Sequence, residues 1–337
     1  MVKDKALEKL RVRPGSRVRL ADYPTRLGAA RLRKLTGMGP EKARQEAEKA
    51  LARSRDALAD AQELLYASDV YSVLVVLQAL DAAGKDGTIR HVMSGVNPQG
   101  CQVFSFKKPS DEEIDHNFLW RQMKALPERG RIGIFNRSHY EEVLVVKVHP
   151  ELLERQRLPP GKRGRKFWAQ RYDDINAFER HLARNGTKIV KFFLHVSKEE
   201  QKQRFLERLE RPEKNWKFSL ADAAEREHWD RYRAAYEECL SETSTKWAPW
   251  YVIPADQKWL ARTLVARILA REIRELKLQW PVVSPQQKKE LAEAKRRLER
   301  ERGEKPRPPR KAEKKPTAAV EPAEPPPTAE VAAGPEA

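Results

Sequence analysis

Lys85, set in the run Asp81-Ala82-Ala83-Gly84-Lys85-Asp86-Gly87, has the neighbours that chemistry on an anion requires. It follows the unbroken apolar stretch from Val73 to Leu77 and precedes Thr88-Ile89-Arg90-His91-Val92-Met93, which has helical character. A buried strand, a turn of small residues, a lysine and a helix place backbone N–H groups and the positive end of a macrodipole together, where a phosphate can sit. On this reading Lys85 binds a phosphoryl group and the amides of Ala83, Gly84, Lys85, Asp86 and Gly87 surround it. The loop departs from G-x-x-x-x-G-K-[ST] twice: Ala79 stands where the first glycine belongs, and Asp86 where a hydroxyl ligand to Mg2+ belongs. Asp81 offers a replacement, a hard carboxylate oxygen inside the turn. An ordinary strand-to-helix turn is the plain alternative for this segment.

Other polar residues gather at places where such a loop would need them. Asn136-Arg137-Ser138-His139-Tyr140-Glu141-Glu142 follows the apolar stretch that ends at Phe135, and open α/β sheets bind ligands at the carboxyl ends of their strands. Arg137 supplies a cation at that strand end. Arg204 and Arg208 are four apart and share a helix face, so they can reach one anion, and Arg211 follows them. Lys107, Lys108 and Arg121 extend a basic path. For each of these cations the plain alternative is a solvated surface charge. Trp120, Trp216 and Trp250 are expected in the core or in lid packing, with stacking on a base as the alternative.

The elements that must position these residues follow from periodicity and turn chemistry. Val73–Leu77 is expected as the central strand of a parallel sheet, because a strand buried on both faces is continuously apolar. Further strands are expected at 101–106, 131–135, 188–196 and 250–253. Helices are expected over 40–67, after Ser110 with Glu113 as capping-box partner and carrying Leu119-Trp120-Arg121, after Ser197 with Glu200, and over 258–276. A basic, irregular arm is expected over 1–36, an α/β core over 37–282 with a helical lid at about 204–240, and a charged, Pro/Ala-rich disordered tail over 283–337.

Lys and Arg number 67 against 49 Asp and Glu, a formal charge of +18, which calls for an anionic partner. Two cysteines are too few for a disulfide framework or a zinc cluster. A reducing, cytoplasmic location and no membrane association are expected, since no apolar run approaches the length of a membrane span. No recognisable nucleic-acid module accompanies the basic charge, so a non-catalytic nucleic-acid binder is the weaker alternative.

Taken together, D-A-A-G-K-D-G at 81–87, F-K-K-P-S at 106–110, F-L-W-R at 118–121, F-N-R-S-H-Y-E at 135–141 and P-E-K-N-W-K at 212–217 resemble the polyphosphate kinase 2 family. The resemblance covers about residues 20–280. It implies an α/β fold, a three-layer α/β/α core like that of P-loop kinases, with a parallel sheet and a helical lid. It also implies transfer of phosphoryl groups between inorganic polyphosphate and AMP, ADP or ATP with Mg2+, or with Mn2+ in its place, by a homo-oligomer of two or four chains. Asn136 falls where many members carry aspartate, and Asn with the following Arg137 and Ser138 resembles the subgroup that phosphorylates both AMP and ADP. The resemblance then makes Asp81, Asn136 and Glu141 the metal-binding set, with Glu142 as the alternative to Glu141, and Asp81, Lys85, Asn136 and Arg137 the catalytic set. An ATP-dependent nucleoside monophosphate kinase of similar fold is the competing enzyme.

Overall fold

The structure is a computed structural model that describes residues 7–215 and 219–301. Expectations for Trp216 and for residues 302–337 fall outside the described residues. Five parallel strands, β1 (Ser72–Gln78), β2 (Cys101–Ser105), β3 (Ile132–Asn136), β4 (Thr187–His195) and β5 (Trp250–Pro254), form one sheet in the order β2-β3-β1-β4-β5. β1 is central and buried at every position, which is why its sequence is apolar without alternation. The helices are α1 (Ala29–Thr36), α2 (Pro40–Gln45), α3 (Ala47–Ser68), α4 (Lys85–Val92), α5 (Asp111–Asp115), α6 (Trp120–Met123), α7 (Val145–Val148), α8 (Arg165–Arg184), α9 (Lys198–Leu209), α10 (Pro212–Asn215), α11 (Leu220–Ala224), α12 (Trp229–Thr243), α13 (Lys258–Arg274) and α14 (Pro285–Glu301).

Two cores flank the sheet. On one face Val73, Val75 and Leu77 pack with Leu58 and Leu65 of α3 and Leu264 and Ile268 of α13. On the other, Leu74 and Val76 pack with Tyr172 and Ile175 of α8 and Tyr236 and Leu240 of α12. The result is the α/β/α layering expected. Among the described residues no helix is long and apolar enough to cross a membrane.

Four expectations change. The arm is not irregular throughout: α1 starts after Gly28, ends at Gly37 in the left-handed conformation (φ 78°), and buries Leu32 and Leu35. Upstream of α1, the Val12 N–H donates to Trp250 O (2.9 Å) and the Val252 N–H to Leu10 O (2.8 Å), so the chain pairs with the open edge of β5. The helix expected over 40–67 divides at Glu46 into α2 and α3. Leu119 to Arg121 do not continue the helix capped by Ser110, because that helix ends at Asp115 and α6 begins at Trp120. The start of the tail is helical. Ser284 Oγ accepts from the Gln287 N–H (3.1 Å) while Gln287 Oε1 accepts from the Ser284 N–H (2.9 Å), a capping box that opens α14. The chain divides into two compact units between Pro281 and Val282, and α14 lies in the second.

One buried network joins β4, α8, the end of α12 and the segment after β3. Lys191 of β4 is fully buried, and its Nζ donates to Glu179 Oε2 (2.6 Å), Tyr140 Oη (2.7 Å) and Thr243 O (2.8 Å). Tyr140 Oη donates in turn to Glu179 Oε1 (2.7 Å). All three ammonium protons are satisfied, so the pair is compensated internally. Truncation leaves a carboxylate, a hydroxyl and a carbonyl without their donor. Lys191→Ala is therefore expected to cost about 3–5 kcal/mol, read as a lowered urea midpoint. Replacing Lys191 and Glu179 together by apolar residues of similar size should recover much of that loss. Equal loss in the single and double variants would show that the charge pairing is not the cause.

Candidate active site

The loop between β1 and α4 is held by α9 from behind. Arg204 is almost fully buried, and its Nη1 donates to Ala82 O (3.1 Å) and Ala83 O (2.7 Å) while its Nη2 donates to Ala255 O (2.5 Å). Its Nε donates to Glu200 Oε1 (2.9 Å), and Gln201 Nε2 donates to Asp81 O (3.0 Å). Carbonyls 81, 82 and 83 are thus all engaged from the α9 side. Left-handed backbone at Ala82 (φ 58°) and Gly84 (φ 104°) makes the turn that leads into α4. Gly84, as N-cap of α4, has no side chain to satisfy the first amides of the helix, which leaves them for an anion.

Two expected roles change here. Arg204 does not reach out as a phosphate clamp: its guanidinium is committed to carbonyls and to Glu200, so it positions the loop instead. Ala83 is not an open donor, because its N–H closes a turn on Leu80 O (3.3 Å). The capping box read at Ser197 is half present. Ser197 Oγ accepts from the Glu200 N–H (3.1 Å), the Glu200 carboxylate turns to Arg204, and Asp256 Oδ1 takes the Ser197 N–H (2.9 Å).

Lys85 is largely buried at the head of α4, with Nζ donating to Ala79 O (2.7 Å) and Leu80 O (3.4 Å). Burial lowers its pKa, while the nearby Asp81 carboxylate acts in the opposite sense. Arg137 follows β3 in the left-handed region (φ 62°), with its N–H bonded to Leu77 O (3.1 Å) of β1. That conformation brings its Nη2 to Asp81 Oδ1 at 2.8 Å. Burial lowers the Arg137 pKa, but the carboxylates of Glu141 and Asp81 outweigh it and the net shift is upward. Asn136 Nδ2 donates to Asp86 Oδ1 (2.9 Å) and Ser105 Oγ (3.2 Å), linking loop, β2 and β3. Its Oδ1 is buried with no hydrogen-bond partner.

The two glutamates after β3 separate. Glu141 lines a small cavity with Asp81 and Arg137, closed by Asp222 of α11 and by Trp229 and Tyr232 of α12. Burial raises its pKa, opposed by Arg137 and Lys85. Glu142 turns away, accepting from Arg171 Nη1 (2.9 Å) and Gln156 Nε2 (2.7 Å). His139 is fully buried against Tyr140 and Phe178 with Glu179 at 3.5 Å, so it is a packing residue.

A cleft of about 1000 Å³ runs past the head of α4. Lys85, Lys107, Lys108, Arg137 and Arg208 line it, as do Asp81, Asp86 and Asp222. It also takes Arg90, Lys214, Lys258 and Arg262, which sequence reasoning had not singled out as site residues. Arg262 stands beside Gly87, and its pKa is lowered by burial and then by Arg90 and Arg204. Such mutual repulsion marks a place where an anion is favoured. Two expected members are elsewhere. Arg121 donates to Lys107 O (2.8 Å) and covers the Phe106 ring, so it supports the lysine loop and does not line the cleft. Arg211 pairs with Glu213 (2.6 Å) on the surface.

The family model for polyphosphate kinase 2 (PPK2) matches residues 41–281. The chain belongs to the polyphosphate kinase 2 family. A relative from Rhodopseudomonas palustris, named ADP-polyphosphate phosphotransferase, is 50% identical over 292 residues, 86% of this chain and 98% of the relative. One from Meiothermus ruber, named AMP/ADP-polyphosphate phosphotransferase, is 50% identical over 241 residues, 72% of this chain and 86% of the relative. The crystal structure of polyphosphate kinase 2 from Arthrobacter aurescens TC1 superposes with a TM-score of 0.77 at 38% identity, covering 89% of this chain and 98% of that one.

In this polyphosphate kinase 2 the oxygen donors expected to serve a hard divalent cation are divided between the small cavity and the cleft. Asp81 lines the small cavity with Glu141 and the cleft with Asn136, whose Oδ1 is buried with no hydrogen-bond partner. Among the described residues no cluster of three or more His, Cys, Asp or Glu could hold a metal on its own.

Proposed function

We propose that this polyphosphate kinase 2 transfers the terminal phosphoryl group of inorganic polyphosphate to AMP and ADP with Mg2+, which Mn2+ can replace. The observation that carries the reading is the long basic cleft at the head of α4, in a chain half-identical to relatives named for this activity. A phosphate oxygen of the acceptor forms a bond to the terminal phosphorus of the polymer, and the bridging P–O bond to the next phosphate breaks, leaving a polymer one unit shorter. The attacking oxygen is already ionised at neutral pH, so the site needs no general base. That agrees with His139 being enclosed in the core.

Lys85 and the first amides of α4 neutralise the transferring group, and Arg137 bridges it to the acceptor phosphate. Arg208 and Lys214, on α9 and α10, bring lid charge to the cleft. Arg204 keeps the loop in shape. Asp81, with Asn136 and Glu141, would hold Mg2+, which supplies charge neutralisation between donor and acceptor phosphates. We place the enzyme in the cytoplasm as a dimer or tetramer, a state that light scattering on the purified protein would measure.

The test is to supply AMP and Mg2+ with either long-chain polyphosphate or ATP and to follow nucleotides by chromatography. ADP and then ATP should accumulate with polyphosphate; transfer from ATP alone would sink the reading. Because a polymer releases more counterions than a mononucleotide, polyphosphate affinity should fall more steeply with salt than AMP affinity. Equal salt slopes would place the polymer outside the basic cleft.

A further inference from the structure

We infer that Gln201 and Arg226 are positioning residues for phosphoryl transfer: Arg226 fixes the Gln201 amide, and the amide fixes the peptide that carries Asp81. This rests on the reading of the loop as the transfer site and adds what sets its geometry. Gln201 lies early in α9 and is buried. Its Nε2 donates to Asp81 O (3.0 Å), and its Oε1 accepts from Arg226 Nη1 (2.7 Å). Arg226 belongs to the short helix Glu225–His228 between α11 and α12, and the same Nη1 donates to Lys198 O (3.1 Å) at the start of α9. Asp81, Gln201 and Arg226 line one small cavity with Arg137 and Glu141.

The direction of the two bonds makes the pair a relay. A guanidinium only donates, so the Gln201 amide must turn its oxygen to Arg226, and its nitrogen then faces the Asp81 carbonyl. Without Arg226, Oε1 is a buried acceptor that has lost its donor, and the amide can turn away from Asp81 to find another. Two residues that touch no reacting atom thereby set the orientation of one that does.

The backbone at this point needs holding. Ala82 has a Cβ and sits in the left-handed region (φ 58°), a conformation that persists only where the surroundings fix it. The peptide planes on both sides of Ala82 are pinned from α9, the one before it by Gln201 on Asp81 O and the one after it by Arg204 on Ala82 O. Release of Asp81 O lets its plane rotate and carries the Asp81 side chain along, whose Oδ1 holds Arg137 Nη2 at 2.8 Å. Displacements of this kind, small and remote from the chemistry, are felt in the rate because transfer depends on alignment. Neither Gln201 nor Arg226 lines the phosphate cleft, so the polymer does not bind through them.

Gln201→Met keeps the volume and removes both bonds. It should lower kcat by about 10–100-fold and leave KM for polyphosphate within about threefold. Arg226→Met should lower kcat by about tenfold, yet added to Gln201→Met it should cost less than about threefold more, because the bond to Gln201 is already gone. Losses that multiply in the double variant, or wild-type kcat in Gln201→Met, overturn the inference. If Gln201→Met fails to fold, Gln201→Glu keeps the acceptor for Arg226 and loses only the donor to Asp81 O, and wild-type kcat in that variant is equally fatal. Hydrogen exchange reads the relay without turnover: loop 81–87 should exchange at least about fivefold faster in Gln201→Met and in Arg226→Met than in wild type. Should the wild-type protein transfer nothing from polyphosphate, the underlying reading fails. Exchange then tests the relay by itself, and a wild-type rate at the loop in either variant overturns it.

Discussion

Lys85→Ala is expected to lower kcat for phosphoryl transfer by at least about 10³-fold while the protein keeps its fold. Lys85 is a buried cation whose Nζ rests on the carbonyl of Ala79 at 2.7 Å, at the point where β1 gives way to the loop. A neutral carbonyl is a weak partner for a desolvated ammonium, and burial accordingly lowers its pKa. A phosphoryl group arriving at the amides of α4 is a far stronger partner, and its charge spreads over its equatorial oxygens as the transfer proceeds. The favourable interaction therefore grows toward the transition state, which is the condition for lowering kcat on removal. Stability should change by no more than about 1 kcal/mol, since little but a hydrogen bond to loop carbonyls is lost. Lys85→Arg should not rescue, because a planar fork cannot replace a compact ammonium enclosed by the loop. Single-turnover kinetics with thermal melting of the same samples checks this. A variant that melts like wild type and turns over within tenfold of it would remove Lys85 from the chemistry.

Asp81→Asn is the second large effect, expected to reduce kcat by about 10²-fold or more at moderate Mg2+ and to shift Mg2+ saturation to higher concentration. The Asp81 carboxylate accepts from Arg137 Nη2 and stands with Glu141 in the cavity closed by Trp229 and Tyr232 of α12. Asparagine keeps the size and one acceptor oxygen, so the loop backbone held by Gln201 and Arg204 should survive. What disappears is the charge that favours a divalent cation and that fixes the Arg137 guanidinium. The two consequences separate by titration: loss at the cation moves the Mg2+ midpoint, whereas loss of Arg137 placement raises acceptor KM at saturating Mg2+. Near-normal turnover at low Mg2+ would sink the account of Asp81 at the metal.

The two variants also differ in what they leave behind. Without Lys85, Arg137 and Asp81 remain joined and the acceptor side is intact. Without the Asp81 charge, Arg137 faces Glu141, whose raised pKa reflects burial that Arg137 and Lys85 only partly offset. Acceptor binding should therefore be nearly normal in Lys85→Ala and weakened in Asp81→Asn, a contrast that equilibrium titration with AMP can read.

The sequence by itself determined the sheet, the phosphate loop and the order of the motifs, because each is encoded locally. A continuous apolar run with small residues, lysine and a helix after it has few structural solutions, and the five strands lie within a residue or two of their expected positions. Helix starts with a capping box are local as well: Ser110 with Glu113 and Ser284 with Gln287 share the same three-residue spacing. The tertiary structure alone decided what each charge faces. Arg204 and Arg208 are equivalent as sequence, one helical turn apart, and both line the cleft, yet Arg204 is buried with its guanidinium on the loop carbonyls and Arg208 is not. Glu141 and Glu142 are neighbours that turn to opposite networks. Arg262 and Lys258, far from every motif, enter the site because α13 packs beside α4. A side chain's role depends on which groups from distant elements it meets, and local sequence does not carry that geometry.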